Sequence, residues 1–149
     1  MIRAKKSLGQ NWLTSKAILA DIIKVGEVKA GDIVLEVGPG QGVLTEALLA
    51  TSAKVVAVEK DDRLIEFLTE KFHLGASLPS EPRGKLTLIH GDILDFDPKK
   101  AGLKVGEYKI IANLPYYITG QFLRRTLESA CPPSLMVLML QKEVVERIV

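Results

Sequence analysis

Ile33-Val34-Leu35-Glu36-Val37-Gly38-Pro39-Gly40-Gln41-Gly42 joins a short run, apolar except for Glu36, to a glycine-rich bend, and a helical pattern follows from Val43 to Leu49. Such a run is too short for a helix, and a strand with one wet face would alternate polar and apolar residues, so it reads as a strand buried on both faces. The unit recurs along the chain. Val55 to Val58, Leu86 to Ile89, Lys109 to Ala112 and Leu135 to Leu140 read as further strands, with helical patterns over Arg63 to Phe72 and Gln121 to Glu128. Buried strands interleaved with helices predict a doubly wound, mostly parallel α/β sheet. Ahead of it, Ile18, Leu19, Ile22 and Ile23 describe one face of a helix, with Thr14 or Ser15 as its N-cap. Gly75 to Gly84, with two prolines and two serines, reads as a surface loop.

A chain of 149 residues supports one core, because a domain of that length buries roughly two thirds of its unfolded surface. Apolar residues at 47% and charged residues at 26% exclude disordered and fibrous classes. The longest aliphatic run, Leu135 to Leu140, falls far short of the ~20 residues that cross a bilayer, so no membrane partner is expected. The basic start leads into no apolar stretch of signal-peptide length, and one cysteine, Cys131, allows no internal disulfide. Both favour the cytoplasm.

Lys and Arg outnumber Asp and Glu by only 20 to 18, so bulk charge says little about partners. Position says more. Arg3, Lys5 and Lys6 crowd an amino-terminal arm over residues 1–13, and Arg124-Arg125 lie just past the Tyr116-Tyr117 pair. A polyanion can be touched at both places, although solvated surface charges give the same pattern. The chain reaches Val149 inside a helical pattern, leaving its fifth strand as an exposed apolar edge of the kind natural sheets cover. The expectation is one catalytic domain, 1–149, cut from a longer protein after strand five.

Open α/β sheets bind ligands beyond the carboxyl ends of their strands. At the first strand, glycines let the backbone come close to a ligand. Their spacing departs from the G-x-G-x-x-G of dinucleotide sites, and Glu36 would oppose a phosphate but suit a cation. Glu36, Gly38 and Gly40 therefore fit the amino-acid portion and sulfonium of S-adenosylmethionine. Glu59 closes the second strand, placed to accept hydrogen bonds from ribose hydroxyls, or alternatively to pair with Lys60 or cap the helix near Asp61-Asp62. Asp92, past the third strand, is placed to accept from the amino group of the cofactor's adenine, whereas Asp95 and Asp97 read as turn formers.

Asn113-Leu114-Pro115-Tyr116 follows the aliphatic Ile110-Ile111-Ala112 and carries the sharpest chemistry. An aromatic amine is a poor nucleophile because its lone pair is delocalised into the ring. Acceptors bias the nitrogen toward a tetrahedral shape: the Asn113 side-chain oxygen and the Leu114 carbonyl each take one N–H, Pro115 stiffens the backbone and Tyr116 stacks on the base. Such stacking is worth roughly 1–3 kcal/mol and selects an unpaired or extruded base. Asn113 is the residue read as catalytic, and the others align donor and acceptor. A β-turn with a core tyrosine is the alternative. His73, His90 and Cys131 are isolated from one another in the sequence, so neither a metal site nor a thiol nucleophile is expected.

Three motifs together resemble the ribosomal RNA adenine dimethyltransferases. They are Lys6-Ser7-Leu8-Gly9-Gln10-Asn11-Trp12-Leu13, Leu35 through Thr45 around Gly38-Pro39-Gly40, and Asn113-Leu114-Pro115-Tyr116-Tyr117-Ile118. The resemblance spans nearly the whole chain, with Trp12 in place of the usual phenylalanine. It implies a Rossmann-like methyltransferase that takes S-adenosylmethionine to S-adenosylhomocysteine and needs no metal. Its substrate would be the N6 of two adjacent adenosines near the 3′ end of small-subunit (16S) rRNA in an assembling ribosomal subunit. It also implies that Asn11, Leu13, Gly38, Glu59, Asp92 and Asn113 contact the cofactor, and that the enzyme is a monomer.

Related antibiotic-resistance methylases of large-subunit rRNA tend toward isoleucine at the position of Leu114 and lack Gly-Pro-Gly, which favours the small-subunit reading. Members of the family continue with two more strands, a Phe-x-Pro-x-Pro clamp and a small helical RNA-binding domain. None of these follows Ile148-Val149, so weak or absent activity is expected of this stretch alone. An NAD-dependent oxidoreductase and a non-catalytic RNA-binding relative are the competing classes.

Overall fold

The computed structural model of the protein describes residues 2–3, 15–75 and 85–149. A five-stranded sheet is built from β1 (Ile33–Val37), β2 (Lys54–Glu59), β3 (Leu86–His90), β4 (Lys109–Asn113) and β5 (Leu135–Met139), in the order β3-β2-β1-β4-β5. Every pairing is parallel, as the doubly wound reading requires. The helices are α1 (Lys16–Val25), α2 (Val43–Ala50), α3 (Asp62–Lys71), α4 (Thr119–Leu127) and α5 (Lys142–Ile148). Between β3 and β4 the described chain makes a 3-10 turn at Ile93–Asp95.

Both faces of the sheet are covered, which is why its strands are apolar on both sides. On one face Val34, Val55, Ala57 and Ile111 pack against Leu19 and Ile22 of α1 and Leu44 and Leu48 of α2. On the other, Leu35, Val37, Ile110 and Ala112 meet Tyr108 and Phe122. Each fully buried aliphatic side chain contributes roughly 1.5–3 kcal/mol, so strands β1 and β4 at the centre dominate the core. The edge strand β5 is half-buried throughout, and α5 buries no residue. The strand limits match the sequence reading to within a residue at each end, while α4 starts earlier than its helical pattern because Thr119 bonds back to the preceding turn.

Local signals fix the helix starts. The Ser15 hydroxyl accepts from the Ile18 amide at 3.4 Å, capping α1. Helix α2 starts on Gly42 with φ +80°, and a methyl there would meet the Phe72 ring at 2.8 Å and Leu68 at 2.9 Å. Glycine alone lets the bend turn left-handed while α2 and α3 close over it.

Lys109, the first residue of β4, locks the opposite end of the sheet. Its ammonium donates to the carbonyls of Gly26 and Glu27 just past α1, at 2.9 and 2.8 Å, and to Asp32 Oδ2 at 2.9 Å. All three N–H groups of the lysine are thereby used, two of them on carbonyls that the end of α1 leaves without a helical partner. Charge-assisted bonds largely removed from water are worth more than surface pairs. Lys109→Met is expected to lower unfolding stability by about 2–4 kcal/mol in urea titrations, and a loss below about 0.5 kcal/mol would contradict this role.

Candidate active site

The order β3-β2-β1-β4-β5 reverses direction between β1 and β4, and ligands sit at such a reversal, beyond the carboxyl ends of the strands. Val37 pairs with Ala112 in the last registered step, so Gly38, just past β1, and Asn113, the last residue of β4, lie side by side. A Cβ on Gly38, which has φ +66°, would lie 3.8 Å from the Asn113 backbone oxygen. The bend and the Asn-Leu-Pro-Tyr tip therefore meet, as the sequence reading needed.

Strand alternation places the polar residues. Glu36 is in register with Ala57 on one side and Ile111 on the other, so Glu36, Glu59 and Asn113 all belong to the sheet face covered by α2. Asn113 is half-buried. The Leu114 side chain is buried among Val37, Ala112 and Phe122, whereas Tyr116 and Tyr117 are 60% and 50% exposed. The Pro115 carbonyl accepts from the Ile118 amide at 3.3 Å and the Thr119 hydroxyl at 3.2 Å, which fixes the turn into α4. Tyr116 is thus displayed by a braced turn, and the alternative of a core tyrosine is excluded by its exposure.

Each acid is held differently. Glu36 is 1% exposed, and the Thr45 hydroxyl donates to its Oε2 at 2.6 Å; among the described residues no other donor reaches it. Burial pushes the Glu36 carboxyl up to about 8, the Thr45 bond opposes that, and the nearby Glu59 carboxyl adds to it. At neutral pH Glu36 therefore carries a proton.

Glu59 Oε1 accepts from the amides of Lys60 and Asp61 at 2.8 and 2.9 Å, and Oε2 from Gly40 at 3.4 Å. Burial raises the Glu59 carboxyl above its ordinary value, with those amides pulling the other way. Asp92 Oδ2 accepts from Lys60 Nζ at 2.8 Å and Oδ1 from the Leu94 amide at 2.9 Å, and the Lys60 bond is the largest influence keeping its carboxyl below the ordinary range.

Lys60 thus pairs with Asp92 through its side chain and with Glu59 only through its amide. The sequence suggested Lys60 only as a partner of Glu59 and gave Thr45 no partner, because the strand tip beside Lys60 and the acid beneath Thr45 are set by the fold. At the other end of the cleft, the Gln41 side-chain amide donates to the Ile2 carbonyl at 3.1 Å, tying the start of the chain to the glycine bend. Asn11 and Leu13 lie outside the described residues, as do residues 76–84 of the expected loop. A separate cleft of about 410 Å³ between Phe96, Pro98, Phe122 and Arg125 contains none of these groups.

A model of the ribosomal RNA adenine dimethylase family matches residues 1–149. The chain belongs to that family. It is 47% identical over 148 residues to ribosomal RNA small subunit methyltransferase A of Dehalococcoides mccartyi, covering 99% of this chain and 48% of that protein. A crystal structure of a dimethyladenosine transferase from Plasmodium falciparum superposes with a TM-score of 0.72 at 30% identity, covering 93% of this chain and 45% of that one. A 23S rRNA methyltransferase structure matches with a TM-score of 0.67 at 26% identity, over 87% and 48% of the two chains. The chain spans about half the length of the curated relatives it matches. In this family's Rossmann-like sheet, the glycine bend and the Asn-Leu-Pro-Tyr tip sit at one crevice.

Glu36 makes the fold pH-dependent in a defined direction. Its carboxyl binds a proton up to about 8 in the folded protein but only to its ordinary value of 4.5 when unfolded. Between those limits the folded state holds more protons, so stability falls as pH rises. Glu36→Gln removes this contribution. Urea titrations at pH 5 and pH 8.5 should show wild type losing on the order of a few kcal/mol relative to the variant; parallel pH profiles would contradict a buried, protonated Glu36.

Proposed function

We propose that the protein transfers methyl groups from S-adenosylmethionine to the exocyclic N6 of two adjacent adenosines near the 3′ end of 16S rRNA. On this reading it leaves S-adenosylhomocysteine, uses no metal, and acts as a cytoplasmic monomer on an assembling small subunit. The observation that carries the reading is the close approach of the Gly38 bend to the backbone of Asn113 at the strand-order reversal. A methyl donor in the bend and an amine at the Asn113 tip are thereby neighbours.

The residues present fit S-adenosylmethionine. Glu36 is a buried carboxyl with one described donor, and a cation entering beside it would favour its ionised form. The long 3.4 Å bond from Gly40 to Glu59 Oε2 is the kind that a ribose hydroxyl can replace, and Asp92 is kept as an acceptor by Lys60. When bound, the cofactor supplies a methyl carbon already activated by a sulfonium.

The chain's own task is alignment. Tyr116 offers an exposed ring on a braced turn for the face of an unpaired adenine. Asn113 and the Leu114 carbonyl accept the two N–H bonds of N6, localising its lone pair along the line to the methyl carbon. As the new N–C bond forms, the C–S bond breaks, and the surplus proton leaves to water. A relative named for the small subunit at 47% identity, against a large-subunit enzyme structure at 26%, supports the small-subunit substrate, as does Leu114.

Isothermal calorimetry should give binding heat with S-adenosylmethionine and none with NAD, while the reverse would make the protein an oxidoreductase. Mass spectrometry of adenosines in 16S rRNA of immature subunits should locate the methyls. Asn113→Ala is expected to cut kcat by about a hundred-fold or more while RNA binding persists. RNA binding with no transfer by wild type would make it a non-catalytic RNA-binding module.

A further inference from the structure

Aromatic residues make up only 5% of the chain, yet two stand exposed together beyond β4. The Tyr116 and Tyr117 rings are 5.7 Å apart with their planes at 89°. One ring face cannot serve two bases, and at right angles the pair offers two separate platforms. Lys60 directly follows β2 and Tyr117 lies just past β4, so both stand beyond the carboxyl ends of the two strands that flank β1.

The Lys60 side chain is 61% exposed, and Asp92 engages one of its N–H groups. Its root is held firmly: the Lys60 amide donates to Glu59, and its carbonyl lies 3.3 Å from His90 Nε2. Extruding a base from a strand breaks its stacking with the next base, whose π-face then needs a new partner. A single-stranded site commonly meets that need with a second aromatic ring and a cation for the backbone.

We propose that Tyr117 and Lys60 form a subsite for the nucleotide next to the target adenosine, the base stacking on the Tyr117 ring and a phosphate oxygen meeting the Lys60 ammonium. The subsite rests on the function proposed above. It makes the perpendicular ring pair a device for splaying two consecutive bases, one into the reaction and one out of its way. Tyr117 is a binding residue here and touches no reacting atom.

The test uses the full-length protein and an RNA hairpin carrying 2-aminopurine beside the target adenosine. Wild type should quench its fluorescence by stacking, with or without turnover. Tyr117→Ala should abolish the quench and raise KM for RNA roughly ten-fold, with kcat and S-adenosylmethionine affinity little changed, while Tyr117→Phe restores both. Lys60→Gln should reduce the slope of log affinity against log salt by roughly 0.7, the share of one single-strand phosphate contact. Unchanged quench and KM in Tyr117→Ala would overturn the subsite and leave the methyltransferase reading intact. A wild-type protein that neither binds S-adenosylmethionine nor methylates any adenosine would sink both.

Discussion

Parallel pairing of β1 with β4 is the constraint on which the rest of the structure depends. Crossovers between parallel strands are right-handed, and from these two central strands they run in opposite directions along the sheet. Helix α2 therefore lies on one face and α4 on the other, as the two separate cores show. Neither helix covers the edge where β1 and β4 end together, and the crevice is what remains there. The pairing also sets the register that brings Gly38 beside Asn113. A shift of one residue between β1 and β4 would put Glu36 and Asn113 on opposite faces and uncouple the two motifs.

That register also explains the unusual state of the acids. Glu36 and Glu59 face the same side of the sheet on neighbouring strands, and the Glu59 carboxyl adds to the burial that disfavours ionisation of Glu36. The fold manages this by unequal means. Glu36 is buried beneath α2 with a hydroxyl as its only described donor, whereas Glu59 at the strand tip collects three amides. Asp92, further out, is matched by a lysine. The least hydrated acid is thus the one that stays neutral, and the most exposed stays charged. An entering cation would favour ionisation of Glu36 as well as meeting Glu59, whereas an anion would be opposed by Glu59.

The strands were legible in the sequence because burial on both faces leaves a run such as Ile33–Val37 or Ile110-Ile111-Ala112 with almost nothing polar, and the exceptions then stand out as site residues. Glu36, Glu59 and Asn113 were found in that way. Thr45 was not, since a threonine inside a helical pattern gives no sign that it faces an acid on a strand. Lys60 was misjudged because proximity in sequence suggested Glu59, whereas the side chain reaches across to the tip of the adjacent strand and Asp92. Pair relations between strands need the strand order, and periodicity alone does not supply it. Tyr117 was visible as a letter but not as a platform, because its exposure and its angle to Tyr116 are properties of the turn.

A glycine bend entering a helix also invites a pyrophosphate, and here the electrostatics decide against it. The favourable contribution of a helix N-terminus to an anion is about 0.3–1 kcal/mol at an exposed site. Against it stand Glu46 in the first turn of α2 and Glu59, whose oxygen lies 3.4 Å from the Gly40 nitrogen that a phosphate would need. A carboxylate about 4 Å from a phosphate charge costs about 4 kcal/mol at an effective dielectric near 20, several times the helix contribution. For a positively charged ligand the sign of that interaction reverses. The same bend that disfavours a dinucleotide is thereby suited to a positively charged ligand, and the preference follows from where Glu46 and Glu59 sit rather than from the glycines.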